Sequence, residues 1–177
     1  SILPIKYEEV IESIKNLKQL QKKIYSKNIS EKNQAISLAE WIKDTPLVYY
    51  PFGLQSSAIR FKNSLQENSK MHVIIEDIVE SCHNGIVAWE RKSNIKPIFI
   101  RGTNDHDKTK ERFKIVAKYF EENQIEFKEI MSNDGNILSK IISLIYLLDY
   151  VSIYKAVLNK IDPSPVKSID FIKEKVK

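Results

Sequence analysis

The sequence predicts an α/β fold, a three-layer α/β/α sandwich around a mostly parallel sheet, preceded by two connector helices. The main observation is that β-prone runs alternate with helical patterns from Pro46 onward, an order typical of parallel strands covered by helices. The connections between such strands are expected to be right-handed. The second observation is the length of 177 residues, which suits one compact domain with a helical extension.

Two amphipathic patterns precede Pro46. The first has apolar residues at three- and four-residue steps and predicts a helix over about residues 6–25. The second predicts a helix capped by Ser30 and ended by residues 44–46. We therefore assign residues 1–44 to a helical connector and residues 45–177 to the α/β domain.

Strands and helices alternate through the predicted α/β domain. Apolar runs predict strands at residues 47–50, 71–75, 97–100 and 125–130. Helical patterns cover residues 55–67, 86–89, 108–121 and 137–159. A turn at residues 162–165 precedes a last helix, in which Pro165 is expected at the first helical position after a Ser164 cap.

The composition limits the kinds of partner and the cellular compartments that fit the chain. The net charge of +5 suits an anionic partner, but the basic residues recur at helical spacing without the interleaved aromatic residues of a nucleic-acid binder. No apolar run reaches the roughly 18 residues of a membrane span, because residues 137–148 are interrupted by polar side chains. Cys82 is the only cysteine, which excludes an intrachain disulfide and fits a reducing, cytoplasmic location.

Neither a cofactor nor a metal is predicted. Four glycines cannot build a dinucleotide fingerprint or a phosphate loop, and residues 132–135 are interpreted as a strand-to-helix turn. Cys82 and the three histidines lack the spacing of a zinc site. A hydrolase with Cys82 as nucleophile is also disfavoured, since no elbow motif or supporting acid accompanies it.

A polar run at residues 66–70 stands between an amphipathic helix and an apolar strand. In an α/β fold such a boundary often opens onto a ligand crevice, where the Glu67 carboxylate could act as a general base. The alternative is a solvated helix end, with Lys70 favourable near the helix C-terminus. A second polar stretch, residues 80–84, contains His83, which alone is more typical of a surface histidine. Asn84 could cap the helix that follows.

Five groups of residues carry a resemblance to a known family. They are Arg60-Phe61-Lys62 through Glu67-Asn68-Ser69-Lys70, Glu80 with His83-Asn84, Trp41 with Pro46-Leu47-Val48-Tyr49, Asp149 through Tyr154, and Asp162 through Val166 with Ile169 and Lys173. Their order and spacing are similar to those of the bifunctional phosphoglucose/phosphomannose isomerase family of the sugar isomerase (SIS) superfamily, in its C-terminal domain. The resemblance covers nearly the whole chain. It implies the SIS version of the sandwich, which is flavodoxin-like, and a homodimer.

The resemblance also implies roles for individual residues. Glu67 matches the base that moves a proton between C1 and C2 of a hexose 6-phosphate through a cis-enediol. His83 matches the ring-opening histidine, which reaches the site from the neighbouring subunit. Lys173 matches a C-terminal lysine near the substrate, although Lys167 and Lys175 lie close by. The substrate-binding residues that it implies are Arg60, Asn68, Lys70 and Asn84.

These residue types suit the implied aldose–ketose isomerisation. A carbon acid beside a carbonyl is weak, so its base must be positioned and partly buried, which raises a carboxyl pKa. A histidine can shuttle the proton that opens a sugar ring, and a lysine supplies fixed positive charge. The reaction needs no metal and no cofactor.

Two departures from the family pattern affect this hypothesis. The family's N-terminal SIS domain, with its phosphate loop and an arginine for the enediolate, is absent, so we expect it to be supplied in cis or in trans. The start at Ser1, without methionine, indicates a fragment or a processed product. The family's acidic residue after His-Asn is here Gly85. The alternative function is a non-catalytic sugar-phosphate-binding SIS module.

Overall fold

A computed structural model describes residues 4–30 and 32–176. The helices are α1 (Tyr7–Ile24), α2 (Gln34–Trp41), α3 (Gln55–Ser69), α4 (Ile78–Ser81), α5 (Asp107–Glu122), α6 (Ile137–Leu158) and α7 (Lys167–Lys175), with a 3-10 helix at Gly85–Glu90. The strands are β1 (Pro46–Tyr50), β2 (Ile74–Asp77), β3 (Lys96–Arg101) and β4 (Lys128–Met131). The elements follow the predicted order closely, and α4 is an additional short helix.

The four strands form one parallel sheet in the order β2-β1-β3-β4. Helices cover both faces, so the predicted three-layer α/β/α sandwich is confirmed. α1, α2, α3 and α6 pack together on one face, whereas α4, the 3-10 helix and α5 lie on the other. Successive side chains of β1 alternate between the two layers: Val48 and Tyr50 face α3 and α6, and Leu47 and Tyr49 face α5.

Aromatic side chains fill the core on the α5 face. Phe99 stacks against Phe120 with ring centroids 5.7 Å apart, and Trp89 meets Phe120 edge-on at 5.0 Å. The indole Nε1 of Trp89 donates a hydrogen bond of 2.8 Å to the Tyr49 hydroxyl, so neither buried polar group is left unpaired. Burial raises the pKa of Tyr49 and keeps its hydroxyl neutral.

The two leading helices share the core of the α/β domain. Ile24 of α1 and Leu38 of α2 are buried in the same cluster as α6 side chains. Polar contacts add to this packing: the Tyr154 hydroxyl donates to the carbonyl of Ile24 at 2.6 Å, and Asn16 donates to Ser139 at 2.7 Å. The boundary at residue 44 stays a prediction, but the helices before it pack on the domain.

Two predicted caps are wrong. α2 is capped by Asn33, whose side chain accepts from the first-turn amides and also donates to the carbonyl of Ile24, whereas Ser30 donates to Asn28. α7 begins after Val166, so Pro165 lies in the preceding loop rather than at the first helical position. The carbonyl of Pro165 accepts a hydrogen bond from Lys70, which holds that residue outside the helix.

One expectation about α6 also changes. The sequence predicted no segment of membrane-spanning length, yet this 22-residue helix is long and apolar enough to cross a membrane by length and composition alone. In the fold it packs against α1, α2 and α3, and Leu144, Leu148 and Val151 are buried. Contact with three helices explains why α6 is apolar over most of its surface.

Candidate functional site

Because all four strands run in the same direction, the sheet has an amino edge and a carboxyl edge, where the strands begin and end. α3 starts after β1 at the carboxyl edge and returns to the amino edge, so Glu67 near its end lies at the amino edge. His83 follows β2 and α4 and therefore lies at the carboxyl edge. These two predicted catalytic residues are separated by at least the length of β2, about 13 Å.

Glu67 lines a groove at the amino edge, and this groove has a volume of about 630 Å³. One wall is the end of α3, with Asn63, Gln66 and Glu67, and the other is the start of α7, residues 165–169. The Glu67 side chain is exposed, so this chain alone does not bury the carboxylate as a general base requires. The groove is thus open to solvent.

Lys70 joins the two walls of this groove. Its backbone is left-handed (φ 56°), which ends α3, and its ammonium donates to the carbonyls of Glu67 at 2.6 Å and Pro165 at 2.7 Å. A longer contact of 3.4 Å reaches the carbonyl of Pro163. The ammonium therefore fixes the loop before α7 against the end of α3, and its donors are already engaged.

Arg60 and Asn68, the other predicted substrate-binding residues of α3, face α6. Arg60 makes a bidentate contact with Asp149, with Nε–Oδ1 and NH2–Oδ2 distances of 3.1 and 3.0 Å, and this hydrogen bonding raises the arginine pKa. Ser64 donates to the same carboxylate at 2.6 Å. Asn68 donates to Ser152 at 2.8 Å. These polar groups hold α3 to α6, and their role towards substrate stays a prediction.

Lys173 lies on α7, a helix without buried residues among those described. The lysine of α7 that lines the groove is Lys167. Sequence reasoning placed Gln66 in the polar run but gave it no role, and it missed Asn63; both share the groove wall with Glu67. Their spacing could have indicated this, since residues three and four positions apart lie on one face of a helix.

The loop with His83 projects from the carboxyl edge. His83 and Asn84 are both exposed, and the backbone amide of His83 donates to the carbonyl of Glu80 at 2.9 Å. The expected cap by Asn84 is absent: its side chain donates to the Glu80 carboxylate at 3.2 Å rather than to the 3-10 helix. The histidine is thus displayed to solvent on a short turn.

Gly85, where the family pattern has an acidic residue, lies against the carboxyl group of Glu76. Its φ lies outside the left-handed region, but a Cβ added there would come within 2.7 Å of Cδ of Glu76. Burial, and then the nearby charge of Glu80, raises the pKa of Glu76. A carboxyl group from β2 therefore occupies the space next to His83-Asn84.

Cys82 lies between the Glu80 and His83 positions but is not activated. Its Sγ donates to the carbonyl of Ile78 at 3.2 Å, and burial raises the pKa of the thiol, which disfavours the thiolate needed of a nucleophile. Within residues 4–30 and 32–176, no three His, Cys, Asp or Glu side chains lie close enough to hold a metal ion.

Comparison with known protein families and sequences gives a consistent result. A model of the family described as "Bacterial phospho-glucose isomerase C-terminal SIS domain" matches residues 31–176. A bifunctional phosphoglucose/phosphomannose isomerase of Caldicellulosiruptor bescii is 33% identical over 176 residues, and one of Aquifex aeolicus is 26% identical over 180. The matches cover 96% and 100% of this chain but 52% and 54% of the relatives, so the chain spans about half their length.

Solved structures support the fold. A glucose-6-phosphate isomerase-like protein from Thermus thermophilus superposes with a TM-score of 0.70 at 16% identity, covering 88% of this chain and 52% of that one. The sugar isomerase domain of an RpiR transcription factor from Sphaerobacter thermophilus gives 0.58 at 12% identity, covering 86% and 90%. At such identities the likeness establishes the architecture alone.

Proposed function

Because the chain belongs to the family of bacterial phosphoglucose isomerase C-terminal SIS domains, we propose that it is the base-carrying half of a hexose 6-phosphate isomerase. The observation that carries the proposal is the groove at the amino edge, where Glu67 faces the start of α7. The relatives named bifunctional phosphoglucose/phosphomannose isomerases support glucose 6-phosphate, mannose 6-phosphate and fructose 6-phosphate as substrates.

In the proposed reaction, the Glu67 carboxylate removes the proton from C2 of the open-chain aldose. The electron pair of that C–H bond forms the C1–C2 double bond of a cis-enediol, and the carbonyl oxygen gains a proton. The protonated Glu67 then returns its proton to C1 while the C2 hydroxyl gives up its proton and becomes the carbonyl of the ketose. The proton lost from O2 balances the one gained at O1, so the reaction is a net isomerisation. Positioned general base catalysis of this kind typically contributes about 10²–10⁴ in rate.

We propose a homodimer in which the neighbouring subunit supplies His83. This proposal is supported by the topology, because Glu67 and His83 of one chain lie at opposite edges of the sheet. The exposed position of His83 suits a residue that meets a second subunit, since an imidazole can then reach a substrate beside the other Glu67. Two such sites per dimer follow from twofold symmetry.

An N-terminal SIS domain, in cis or in trans, would complete each site. The chain covers about half of its relatives, and Glu67 is exposed without a second body over the groove. Covering the groove would partly bury the carboxylate and strengthen it as a base. The N-terminal domain would also contribute the groups that hold the phosphate and the enediolate charge.

Lysines of α7 are proposed to contact the substrate from the second wall of the groove. Lys167 lines it directly, and Lys173 is exposed six residues further along the helix. Both provide fixed positive charge for a phosphate or a ring oxygen. A cytoplasmic location and a metal-free reaction belong to the same proposal.

A second candidate function is a non-catalytic sugar-phosphate-binding module. It is favoured by the exposure of Glu67, because a solvated carboxylate is a weaker general base than a partly buried one, while the polar side chains of the groove could still bind a sugar phosphate. The two functions differ in one measurable property, because only the isomerase loses turnover when Glu67 loses its charge.

Turnover of fructose 6-phosphate separates these functions. The chain is assayed alone and with the N-terminal domain of the Caldicellulosiruptor bescii relative, as wild type, Glu67→Gln and the control Glu121→Gln at the exposed end of α5. We expect turnover only with the partner domain, a loss of about 10²–10⁴ in Glu67→Gln, and no change in the control. Equal turnover in wild type and Glu67→Gln would overturn Glu67 as the base, and binding without turnover would establish the module.

A further inference from the structure

The turn that carries His83 contains a dipeptide with its own chemistry. Asn84 is followed by Gly85, and of the four glycines in the chain only this one follows an asparagine. The side-chain amide of an asparagine can be attacked by the backbone nitrogen of the next residue, which closes a five-membered succinimide ring. Glycine permits this attack best, because it has no side chain to shield its nitrogen. Asn84-Gly85 is thus the asparagine position in this chain at which ring closure is easiest.

The fold leaves both reacting groups accessible. Asn84 is exposed, and its backbone angles (φ −136°, ψ −48°) belong to neither a helix nor a strand. The amide of Gly85 stands at the start of the 3-10 helix, where the first backbone donors lack a partner within the helix. Among the residues that the structure describes, no group accepts a hydrogen bond from this amide. The nitrogen that must attack is therefore not held by the fold.

Carboxyl groups border this dipeptide. The side-chain Nδ2 of Asn84 donates to Oε1 of Glu80 at 3.2 Å, and this contact is exposed to solvent. The Glu76 carboxyl lies against Gly85, since a Cβ added to the glycine would come within 2.7 Å of Cδ of Glu76. A new negative charge at residue 84 would therefore arise beside two existing carboxyl groups.

We propose that Asn84 is a site of spontaneous deamidation, at which this asparagine is converted to aspartate and isoaspartate without an enzyme. The Gly85 nitrogen forms a bond to Cγ of Asn84, the bond between Cγ and Nδ2 breaks, and the leaving amide group takes up the proton of the Gly85 amide and departs as ammonia. Water then opens the succinimide. Cleavage between the ring nitrogen and Cγ gives aspartate, whereas cleavage between the nitrogen and the main-chain carbonyl carbon gives isoaspartate.

The glycine makes this reaction a property of the present chain. The family pattern has an acidic residue at position 85, and its side chain would shield the nitrogen that attacks Asn84. The reaction needs only the neighbouring amide and water, so it proceeds without a partner protein. An isoaspartate is also a substrate for a carboxyl methyltransferase, which gives a chemical test for the product.

Deamidation would change the turn in two ways. An amide that donates to Glu80 becomes a carboxylate, so a hydrogen bond is replaced by repulsion from Glu80 and Glu76. In the isoaspartate form the main chain runs through Cβ and gains one carbon atom just after His83. Both changes displace the histidine from its position in the unmodified turn. A resulting loss of isomerase turnover rests on the proposed function, whereas the modification itself does not.

Mass spectrometry of the folded chain measures the reaction. The protein is incubated at neutral pH in water labelled with heavy oxygen, which enters the product when the succinimide opens. Peptides that contain residue 84 are analysed for the label, and isoaspartate is counted by enzymatic methyl transfer. Asn94 is the internal control, because it is exposed but is followed by the branched Ile95. We expect the label to accumulate at residue 84 with first-order kinetics and to be absent from residue 94.

Three variants test the chemistry. Asn84→Gln keeps a neutral amide but would have to close a six-membered ring, so the label at residue 84 should be lost. Gly85→Ala places a methyl group next to the attacking nitrogen and should slow the labelling severalfold. Asn94→Gln, the matched control at an exposed loop position, should leave the rate at residue 84 unchanged. In aged wild-type protein the His83 ring resonances should shift, whereas those of His72 should stay in place.

The opposing results are equally specific. The proposal fails if the folded protein takes up no label at residue 84 although the urea-unfolded protein does, because the fold would then protect the site. It also fails if Asn84→Gln or Gly85→Ala is labelled at the wild-type rate, or if Asn94 is labelled as fast as Asn84. Label at residue 84 in a protein that shows no turnover with the N-terminal domain would support this inference while it contradicts the proposed function.

Discussion

The two edges of the sheet differ in how complete their sites are. At the amino edge, Glu67 lies exposed in an open groove between α3 and α7, and Lys70 joins the two walls. At the carboxyl edge, the loops after β1 and β3 enclose a smaller cavity of about 270 Å³, and His83 lies exposed on a short turn after α4. The carboxyl edge thus has an enclosed pocket within one chain, whereas the amino edge has only an open groove.

This difference follows from where a parallel α/β sheet can form a pocket. Loops after neighbouring strands form a crevice at the carboxyl edge without any help, as at β1 and β3. The amino edge has only helix ends and returning loops, so its groove stays open. A base placed there can become partly buried only through another domain or subunit, which is consistent with the proposed two-domain dimer.

The largest expected effect is complementation between two inactive variants in the presence of the N-terminal domain. Glu67→Gln and His83→Ala should each lose most turnover. In mixed dimers, one site combines Glu67 of the His83→Ala subunit with His83 of the Glu67→Gln subunit. Random mixing should therefore restore about one quarter of wild-type turnover, as expected for twofold symmetry with a shared site.

The control for complementation mixes two variants of the same residue. Glu67→Gln mixed with Glu67→Ala cannot build an intact site and should remain inactive. If the Glu67→Gln and His83→Ala mixture also stays inactive although mixed dimers are detected, Glu67 and His83 do not act across subunits. Recovery in both mixtures would point to contamination with active enzyme rather than to a shared site.

The next effect concerns the His83 turn at the carboxyl edge. Gly85→Ala places a methyl group against the Glu76 carboxyl, which is the end of a flexible side chain and can move aside, so it should lower the free energy of unfolding by about 1 kcal/mol, the low end of the cost of overpacking. The double variant Gly85→Ala with Glu76→Ala should regain most of this loss. Urea unfolding of the four proteins in this cycle measures the coupling.

If Gly85→Ala lowers the free energy of unfolding equally in the presence and absence of the Glu76 side chain, the glycine is needed for its backbone conformation and not for the contact with Glu76. The His83 ring resonances of the same four proteins test whether the contact between residue 85 and Glu76 positions the histidine. We expect these signals to move in Gly85→Ala and to return in the double variant, whereas those of His72 should stay in place.

Much of the fold could be predicted from the sequence because its signals are local. Alternating β-prone runs and helical patterns predicted every strand, and residue spacing predicted the long helices. The cap of α2 was missed because Asn33 competes with Ser30 through a contact to Ile24, which is nine residues away. The limits of α7 were missed because they depend on Lys70, which is distant in sequence.

The site was less predictable, for a related reason. The sequence pointed to Glu67 and to the polar run around it, but not to which of these side chains face outward. Arg60 and Asn68 are occupied by Asp149 and Ser152 of α6, partners more than 80 residues away. The cavity of about 270 Å³ between the loops after β1 and β3 was not predicted at all, because its walls come from three separate segments that only the fold brings together.

A smaller effect concerns the contact between the walls of the amino-edge groove. Lys70→Ala removes the ammonium and keeps a side chain in a left-handed conformation, whereas Lys70→Gly removes both the ammonium and this strain. We expect Lys70→Ala to lower the free energy of unfolding by about 1 kcal/mol, a value reduced by exposure, and Lys70→Gly to lower it less. Hydrogen exchange of α7 amides should be faster in both.

Protection of α7 that is unchanged in both variants would show that Lys70 does not hold the loop. The difference in the free energy of unfolding between Lys70→Ala and Lys70→Gly then measures the strain of the left-handed backbone. A matched change at Lys62, which is not engaged with the loop, should leave α7 protection as in wild type.

The smallest effect is the pH dependence contributed by Glu76. Burial raises its folded-state pKa above the unfolded value of 4.5, so the folded state binds more protons than the unfolded state between these two values. Its contribution to stability is therefore largest at pH below 4.5 and falls as pH rises through the folded pKa. Glu76→Gln removes this loss, so the variant should gain stability relative to wild type from about pH 4 to 8. Urea unfolding across this range measures the gain in the free energy of unfolding, and the control Glu121→Gln should show none. If the stability difference between Glu76→Gln and wild type instead shrinks as the pH rises, the ionised Glu76 carboxylate is stabilised at this edge, by a cation from the partner subunit or from Arg112.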